Sequence, residues 1–296
     1  MKFSIFIVAV IALGIFIFWK DVKGTTKEVK QSFTENSNKE EKNKGQSELS
    51  TEIKIIEKWD LPKELLEISG LAYVDDSRFA CVQDEAGIIF IYNRITNQIE
   101  KEIQFASPGD YEGLTLNGNT AYIVRSDGRL FEVDMNIGKS STKEYSTSLT
   151  LQNNVEGLCY DKKNNRLLLA IKGAETHTKD YKGVYAFDLG TRTFKKDPVL
   201  KINVNTEVLN GKKSKKNKNM NPSAIGIHPI TNEYYITDGT KSGLLILDKE
   251  GNIKTILNLG KSFAQPEGIT FSPKGEIFIS NEGTKQPGNI VKVSVE

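Results

Sequence analysis

Ser69-Gly70-Leu71-Ala72 returns four times along the chain, as Glu112-Gly113-Leu114-Thr115, Glu156-Gly157-Leu158-Cys159, Ser223-Ala224-Ile225-Gly226 and Glu267-Gly268-Ile269-Thr270. Counted from the second residue of each copy, the steps are 43 (70 to 113), 44 (113 to 157), 67 (157 to 224) and 44 (224 to 268) residues. A recurring period of this length marks a repeat architecture, and the one long step carries an insertion. After each copy come an apolar strand, a turn rich in Asp, Asn and Gly, a second apolar strand, a polar break and a third strand. The fourth copy adds a more polar strand over Asn252 to Leu259, after Glu250-Gly251. Four strands per period of about 40 to 45 residues predict a propeller blade.

The last copy has room for only three strands before Glu296. An unattached strand, Thr51 to Trp59, precedes the first copy and is expected to supply the missing one, closing the ring at five blades. Closure leaves only short, protected sheet edges. The expected fold is therefore all-β: a five-bladed β-propeller over residues 51–296, closed by an N-terminal strand.

Phe3 to Trp19 is a run of 17 uncharged, mostly apolar residues flanked by Lys2 and Lys20. As a helix it would reach about 26 Å, close to the hydrocarbon thickness of a bilayer, with the flanking lysines snorkelling. Residues 1–20 are read as a transmembrane signal anchor. A cleaved signal peptide is the competing reading, although the run ends in Ile-Phe-Ile-Phe-Trp without a small-x-small site. Residues 21–50 are polar and read as a disordered linker. Together they predict a propeller tethered to the cell membrane by residues 3–19 and held outside the cytoplasm.

Forty Lys and Arg balance 38 Asp and Glu, leaving about +2, so no global charge steers the chain onto nucleic acid. Cys81 and Cys159 fall in different blades and different strands, which argues against a disulfide.

In a four-stranded meander the start of the innermost strand and the end of the second share one face. This rule gathers Ser69, Asp84, Arg125, Lys172, Ser223, Asp238 and Asn281 at one mouth of the channel as candidate ligand-binding residues. Glu112, Glu156 and Glu267, all at one repeat position, join them there. Crowded carboxylates need a raised pKa, a cation, or an Arg or Lys partner. Three readings follow: the three glutamates hold calcium, which suits an oxygen-only shell; they brace the turn by accepting backbone N–H bonds; or they touch a substrate. The insertion at 211–220 carries Lys212-Lys213-Ser214-Lys215-Lys216-Asn217-Lys218 and is read as a solvated loop or an arm that greets an anion at the same mouth. His177 and His228, the two histidines, fall at different places and build no triad or zinc-type spacing.

The phrases Asp110-Tyr111-Glu112-Gly113-Leu114, Val155-Glu156-Gly157-Leu158, Asn221-Pro222-Ser223-Ala224-Ile225 and Gln265-Pro266-Glu267-Gly268-Ile269, after an anchor-like N-terminus, resemble the SdiA-regulated, YjiK-like bacterial β-propellers. The resemblance covers roughly Ile53 to Glu296. It implies an envelope-located, membrane-anchored propeller and a calcium-regulated, phytase-like branch, whose Asp-rich calcium clusters are not evident in this chain. Two functions are carried forward. The first is a non-catalytic propeller that binds a ligand or an envelope protein at the polar mouth, with calcium as the candidate cofactor. The alternative is a phosphoesterase or esterase using a metal-activated water at that mouth.

Overall fold

A computed structural model of the chain describes residues 52–204 and 220–296. The anchor and linker expected at 1–50, and the basic run of the insertion, lie outside the described residues. Among the described residues no helix is long and apolar enough to cross a membrane.

Among the described residues twenty strands form five four-stranded sheets. The first blade is β2 (Ile68–Tyr73), β3 (Arg78–Gln83), β4 (Ile88–Asn93) and β5 (Gln98–Gln104). The second is β6 (Tyr111–Asn117), β7 (Thr120–Arg125), β8 (Leu130–Asp134) and β9 (Lys143–Tyr145). The third is β10 (Val155–Asp161), β11 (Arg166–Ile171), β12 (Tyr181–Asp188) and β13 (Thr193–Asn203). The fourth is β14 (Pro222–Ile227), β15 (Tyr234–Asp238), β16 (Gly243–Leu247) and β17 (Ile253–Asn258). The fifth takes β18 (Pro266–Phe271), β19 (Ile277–Asn281) and β20 (Asn289–Val295) and is completed by β1 (Ile53–Asp60), which pairs antiparallel with β20. The predicted closure is thus observed, with Ile53 opposite Val295 and Asp60 opposite Asn289.

Burial falls from the axis outward, and the sequence shows why. Ile68–Tyr73 and Arg78–Gln83 are mostly apolar and buried, whereas the outer Gln98–Gln104 alternates charge with isoleucine and faces solvent. The apolar core is divided into five clusters, each filling the wedge between two neighbouring blades. Ile89 and Phe105 of the first blade, for instance, meet Tyr111 and Phe131 of the second, while Trp59, Phe278 and Ile290 of the fifth meet Phe79 and Tyr92 of the first. Cys81 and Cys159 are buried free thiols in different wedges.

One irregularity recurs in all five blades. The innermost strand skips register between Ile68 and Gly70, Tyr111 and Gly113, Val155 and Gly157, Pro222 and Ala224, and Pro266 and Gly268. The residue left unpaired is the first of each repeated phrase: Ser69, Glu112, Glu156, Ser223 or Glu267. A β-bulge bends its strand and re-aims a side chain. Here it opens the meander at the same height in every blade, which is what sets five side chains in a ring around one end of the channel.

The glycine after each bulge serves close approach. A Cβ on Gly113 would stand 2.7 Å from the Glu156 carbonyl oxygen and 2.8 Å from the Leu158 Cβ on the neighbouring inner strand. The fourth blade carries Ala224 at this place, buried against the fifth.

Candidate functional site

The polar mouth is assembled by backbone bonds before any side chain is considered. In the second to fifth blades the residue ahead of the inner strand accepts a bond from the residue just beyond the second strand: Ser126 N–H to Asp110, Lys172 N–H to Asn154, Gly239 N–H to Asn221 and Glu282 N–H to Gln265, at 2.8 to 3.3 Å. Neighbouring blades are tied at the same level, Tyr111 N–H to the Asp84 carbonyl at 2.8 Å and Val155 N–H to the Ser126 carbonyl at 2.9 Å.

Within the ring of bulged residues the serines and the glutamates part ways. Ser69 Oγ donates to the Tyr111 carbonyl of the next blade at 2.6 Å. Ser223 Oγ does the same to the Pro266 carbonyl and also meets Thr237 Oγ1 at 2.9 Å. Both are buried and committed to holding blades together, so the two serines expected to face a ligand are stitches between blades.

Glu156 and Glu267 are buried, Glu112 is half-buried, and the three line one small space. Glu156 is 3% exposed and Glu267 6% exposed. Lys172 Nζ donates to Glu156 Oε2 at 2.8 Å, and Asn154 Nδ2 donates to Oε1 at 2.8 Å. Asn154 takes a positive φ of 44°, a conformation Asn tolerates better than most residues, and this turns its amide back onto Glu156. Burial, aggravated by the charges of Glu156, Asp110 and Glu267, pushes Glu112 up to about 9. Burial and Glu156 likewise push Glu267 to about 8, against the opposing pull of Lys172. Glu156 is also raised by burial, with Lys172 opposing. For Lys172 burial alone would lower the value, but Glu156 and Glu267 raise it above its ordinary range. Burial and mutual repulsion thus favour the protonated forms of Glu112 and Glu267, while Lys172 offsets the charge of Glu156.

The other expected ligand residues fall into two groups. Arg125 makes a two-pronged pair with Asp127, at 2.6 and 3.1 Å, and so does not neutralise the glutamates. Asp238 is buried and its carboxylate caps a turn, accepting from Asn221 N, Thr240 N, Thr240 Oγ1 and Lys241 N. Asn281 Nδ2 donates to Asn289 Oδ1 at 2.9 Å, while its Oδ1 is buried without a partner. Asp84 also has a buried Oδ1 without a partner, and burial together with Glu67 and Glu85 raises its pKa. Glu282, raised by burial and by Asp84 and Glu67, accepts from Gln265 Nε2. The mouth above the ring is thus strongly acidic.

The space enclosed by the ring is about 10 Å³ measured by where a water's centre can sit, room for about a single water. Beneath it Leu71, Leu114, Leu158, Ile225 and Ile269, the third residues of the five phrases, are all buried and close the channel.

The calcium expected at Glu112, Glu156 and Glu267 gains no support from the arrangement of the side chains. Among the described residues no three His, Cys, Asp or Glu side chains are disposed as metal ligands. Lys172 is the cation that the structure places on Glu156. Neither histidine reaches the ring: His177 is exposed in a loop, and His228 follows β14 toward the opposite mouth, against Tyr235 and Phe271. Sequence reasoning missed the bulges, Asn154 and the Gln265–Glu282 bond. Of these, Asn154 was visible as an amide two residues before a glutamate in a turn.

The fold and the site define a closed five-bladed β-propeller with a buried acidic ring at one channel mouth. The family model for SdiA-regulated proteins matches residues 43–287, and the chain belongs to that family. No curated protein matches it. Among solved structures it is similar to glutaminyl cyclase of Myxococcus xanthus, at 16% identity and a TM-score of 0.58, covering 83% of this chain and 97% of that one. It is also similar to a streptogramin B lyase, at 12% identity and a TM-score of 0.49, covering 85% of this chain and all of that one. At these identities the likeness is one of fold.

Proposed function

We propose that this propeller is a binding protein whose acidic mouth takes a ligand or envelope partner presenting a primary ammonium group, which is about the size of a water. The observation that carries the reading is the ring itself: Glu112, Glu156 and Glu267 turned onto one point by bulges, with Lys172 the only ammonium bonded to them among the described residues. A cation arriving there would replace the protons of Glu112 and Glu267 as the source of neutrality. Asp84 and Glu282 above the ring would draw it in.

The test uses the full chain at pH 7.5 with 1,4-diaminobutane, 1,4-butanediol and calcium chloride, read by thermal melting and by calorimetry in buffers of different ionisation enthalpy. The reading expects the diamine to raise the melting temperature and release protons, the diol to do neither, and Glu112→Gln with Glu267→Gln to abolish both effects. A stabilisation by calcium alone would restore the calcium reading, and no response to either cation would remove the binding function assigned to this mouth. In the same reading Phe3–Trp19 anchors the propeller to the cell membrane on its outer side. Extracellular protease that cannot reach the propeller in intact cells lacking any outer wall barrier would contradict that placement.

A further inference from the structure

The second and third blades surround equivalent glutamates with opposite partners. Each blade carries its glutamate at the bulge, Glu112 or Glu156, and the same two places flank it. One is two residues ahead in the chain, Asp110 or Asn154, and the other is just beyond the second strand, Ser126 or Lys172. The backbone fixes this equivalence, since Ser126 N–H donates to the Asp110 carbonyl as Lys172 N–H does to that of Asn154. In the third blade both flanking side chains donate to the carboxylate, Asn154 Nδ2 and Lys172 Nζ at 2.8 Å each. The second blade has neither donor. Asp110 brings another negative charge, Ser126 brings a hydroxyl, and no hydrogen bond or ion pair reaches the Glu112 carboxyl among the described residues.

The direction of the side chain at Ser126 follows from its counterparts. Lys172 at this place reaches the glutamate of its own blade. A Cβ added at Gly239, the same place in the fourth blade, would stand 3.1 Å from the Ser223 Cβ of its own blade and 2.9 Å from Glu267 Oε1 of the next. A side chain here thus points between two bulged residues, which for Ser126 are Glu112 and Glu156. Ser126 is 1% exposed, and its Oγ has no hydrogen-bond partner among the described residues. A buried hydroxyl left so is costly unless something bonds to it. Arg125, beside it in the chain, is held by Asp127. The third glutamate does not repeat this arrangement, because Gln265 and Glu282 flank Glu267 and are bonded to each other.

We propose that Glu112 is the residue on which the ligand's ammonium rests, in the place that Lys172 Nζ takes on Glu156, with Asp110 and the Ser126 hydroxyl as its other acceptors. The three N–H donors of a primary ammonium then meet oxygens from three residues of one blade. A secondary amine would leave one acceptor unmet, and a tertiary amine two. Lys172 stays on Glu156, so the two ammonium groups are balanced by different carboxylates. This assignment rests on the ammonium-binding function proposed above, and adds to it the subsite and the choice among amines.

The experiment titrates the full chain and three variants with butylamine, N-methylbutylamine and butanol by calorimetry at pH 7.5. Butylamine is expected to bind the parent chain more tightly than N-methylbutylamine, and butanol not to bind. Asp110→Asn, a change on an exposed side chain, is expected to weaken butylamine about tenfold. Ser126→Ala removes a hydroxyl that makes no bond within the fold, and is expected to weaken butylamine about fivefold and to narrow its advantage over N-methylbutylamine. Ser126→Lys supplies the missing ammonium from the chain itself, as Lys172 does in the next blade, and is expected to abolish butylamine binding in a chain that still melts cooperatively. A parent chain that binds no amine would remove both this assignment and the function it rests on. Butylamine binding undiminished in Asp110→Asn and Ser126→Ala, retained in folded Ser126→Lys, or no tighter than that of N-methylbutylamine would overturn the assignment alone.

Discussion

Ser69 Oγ donates to the carbonyl of Tyr111, 42 residues further on, at 2.6 Å across the boundary between the first two blades. Ser223 repeats the bond to Pro266 between the fourth and fifth. At the same ring position Glu112, Glu156 and Glu267 carry carboxyl groups instead, so one repeated backbone device ties neighbouring blades at two places and sets acidic side chains at three.

Ser69→Ala leaves the Tyr111 carbonyl buried without this donor. The cost is expected to be about 1 to 3 kcal/mol, the usual penalty for orphaning a buried polar group. A denaturation midpoint lowered with an unchanged slope would report it, whereas an unaltered midpoint would show that the bond contributes nothing.

Stability should fall as pH rises. Glu112 and Glu267 are held near 9 and 8 in the fold against an ordinary 4.5, so between those values the folded chain binds more protons than the unfolded one. Their contribution is fully present below about pH 4.5 and is lost on passing through pH 8 to 9, at up to about 1.4 kcal/mol per pH unit for each whole proton of difference. Below pH 4.5 the opposite trend takes over, because Asp75, Asp127 and Glu276 are held below their ordinary values by Arg78, Arg125 and Lys292. Urea titrations from pH 5 to 9 should show a steady decline that Glu112→Gln makes shallower, and a flat profile would contradict it.

Lys172→Met removes the ammonium that compensates Glu156. Breaking a buried pair from one side costs about 3 to 5 kcal/mol, and Lys172 is partly exposed, so the low end applies. The loss should be larger at pH 8 than at pH 5, where Glu156 escapes by taking a proton. Equal losses at both pH values would mean that the methylene stem of Lys172 matters and its charge does not.

Gly113→Ala forces a methyl against the Glu156 carbonyl and the Leu158 side chain on the neighbouring inner strand. Overpacking of this kind costs about 1 to 3 kcal/mol. Thermal melting of the variant against the parent measures it, and an unchanged melting temperature would show that the inner strands can move apart.

Removing residues 1–60 takes away β1, including Trp59, which packs in the wedge between the fifth and first blades near Phe278. The exposed edge of β20 would then invite pairing with other chains. Size-exclusion chromatography should find the truncated chain aggregated, and a monodisperse peak with native circular dichroism would show that the ring does not need its closing strand.

The architecture was legible because a repeat writes its own register: five phrases, evenly spaced apart from one insertion, set the blade count, and the three-strand remainder at the C-terminus pointed to Thr51 to Trp59 as the missing fourth, which the fold places at Ile53–Asp60. The site was legible only in part. That Glu112, Glu156 and Glu267 meet followed from shared repeat position, yet the bulge that turns them inward depends on pairing register and leaves no mark in composition. Ser69 and Ser223 looked like ligand contacts because their acceptors, the carbonyls of Tyr111 and Pro266, lie a full blade away in sequence. Arg125 and Lys172 occupied equivalent places, and what separates them is Asp127, two residues after Arg125, for which Gly173 and Ala174 after Lys172 have no counterpart. Asp238 looked like a binding group but is consumed by its own turn at Thr240 and Lys241.

Glu52 and Glu296 exchange backbone hydrogen bonds at 3.0 and 3.1 Å where β1 meets β20. Since both extremities of the ring lie side by side in one sheet, the place where the polypeptide happens to be cut is arbitrary with respect to its shape. Joined there by a short linker and reopened in any exposed turn between blades, the molecule has a route to new entry points without disturbing either mouth.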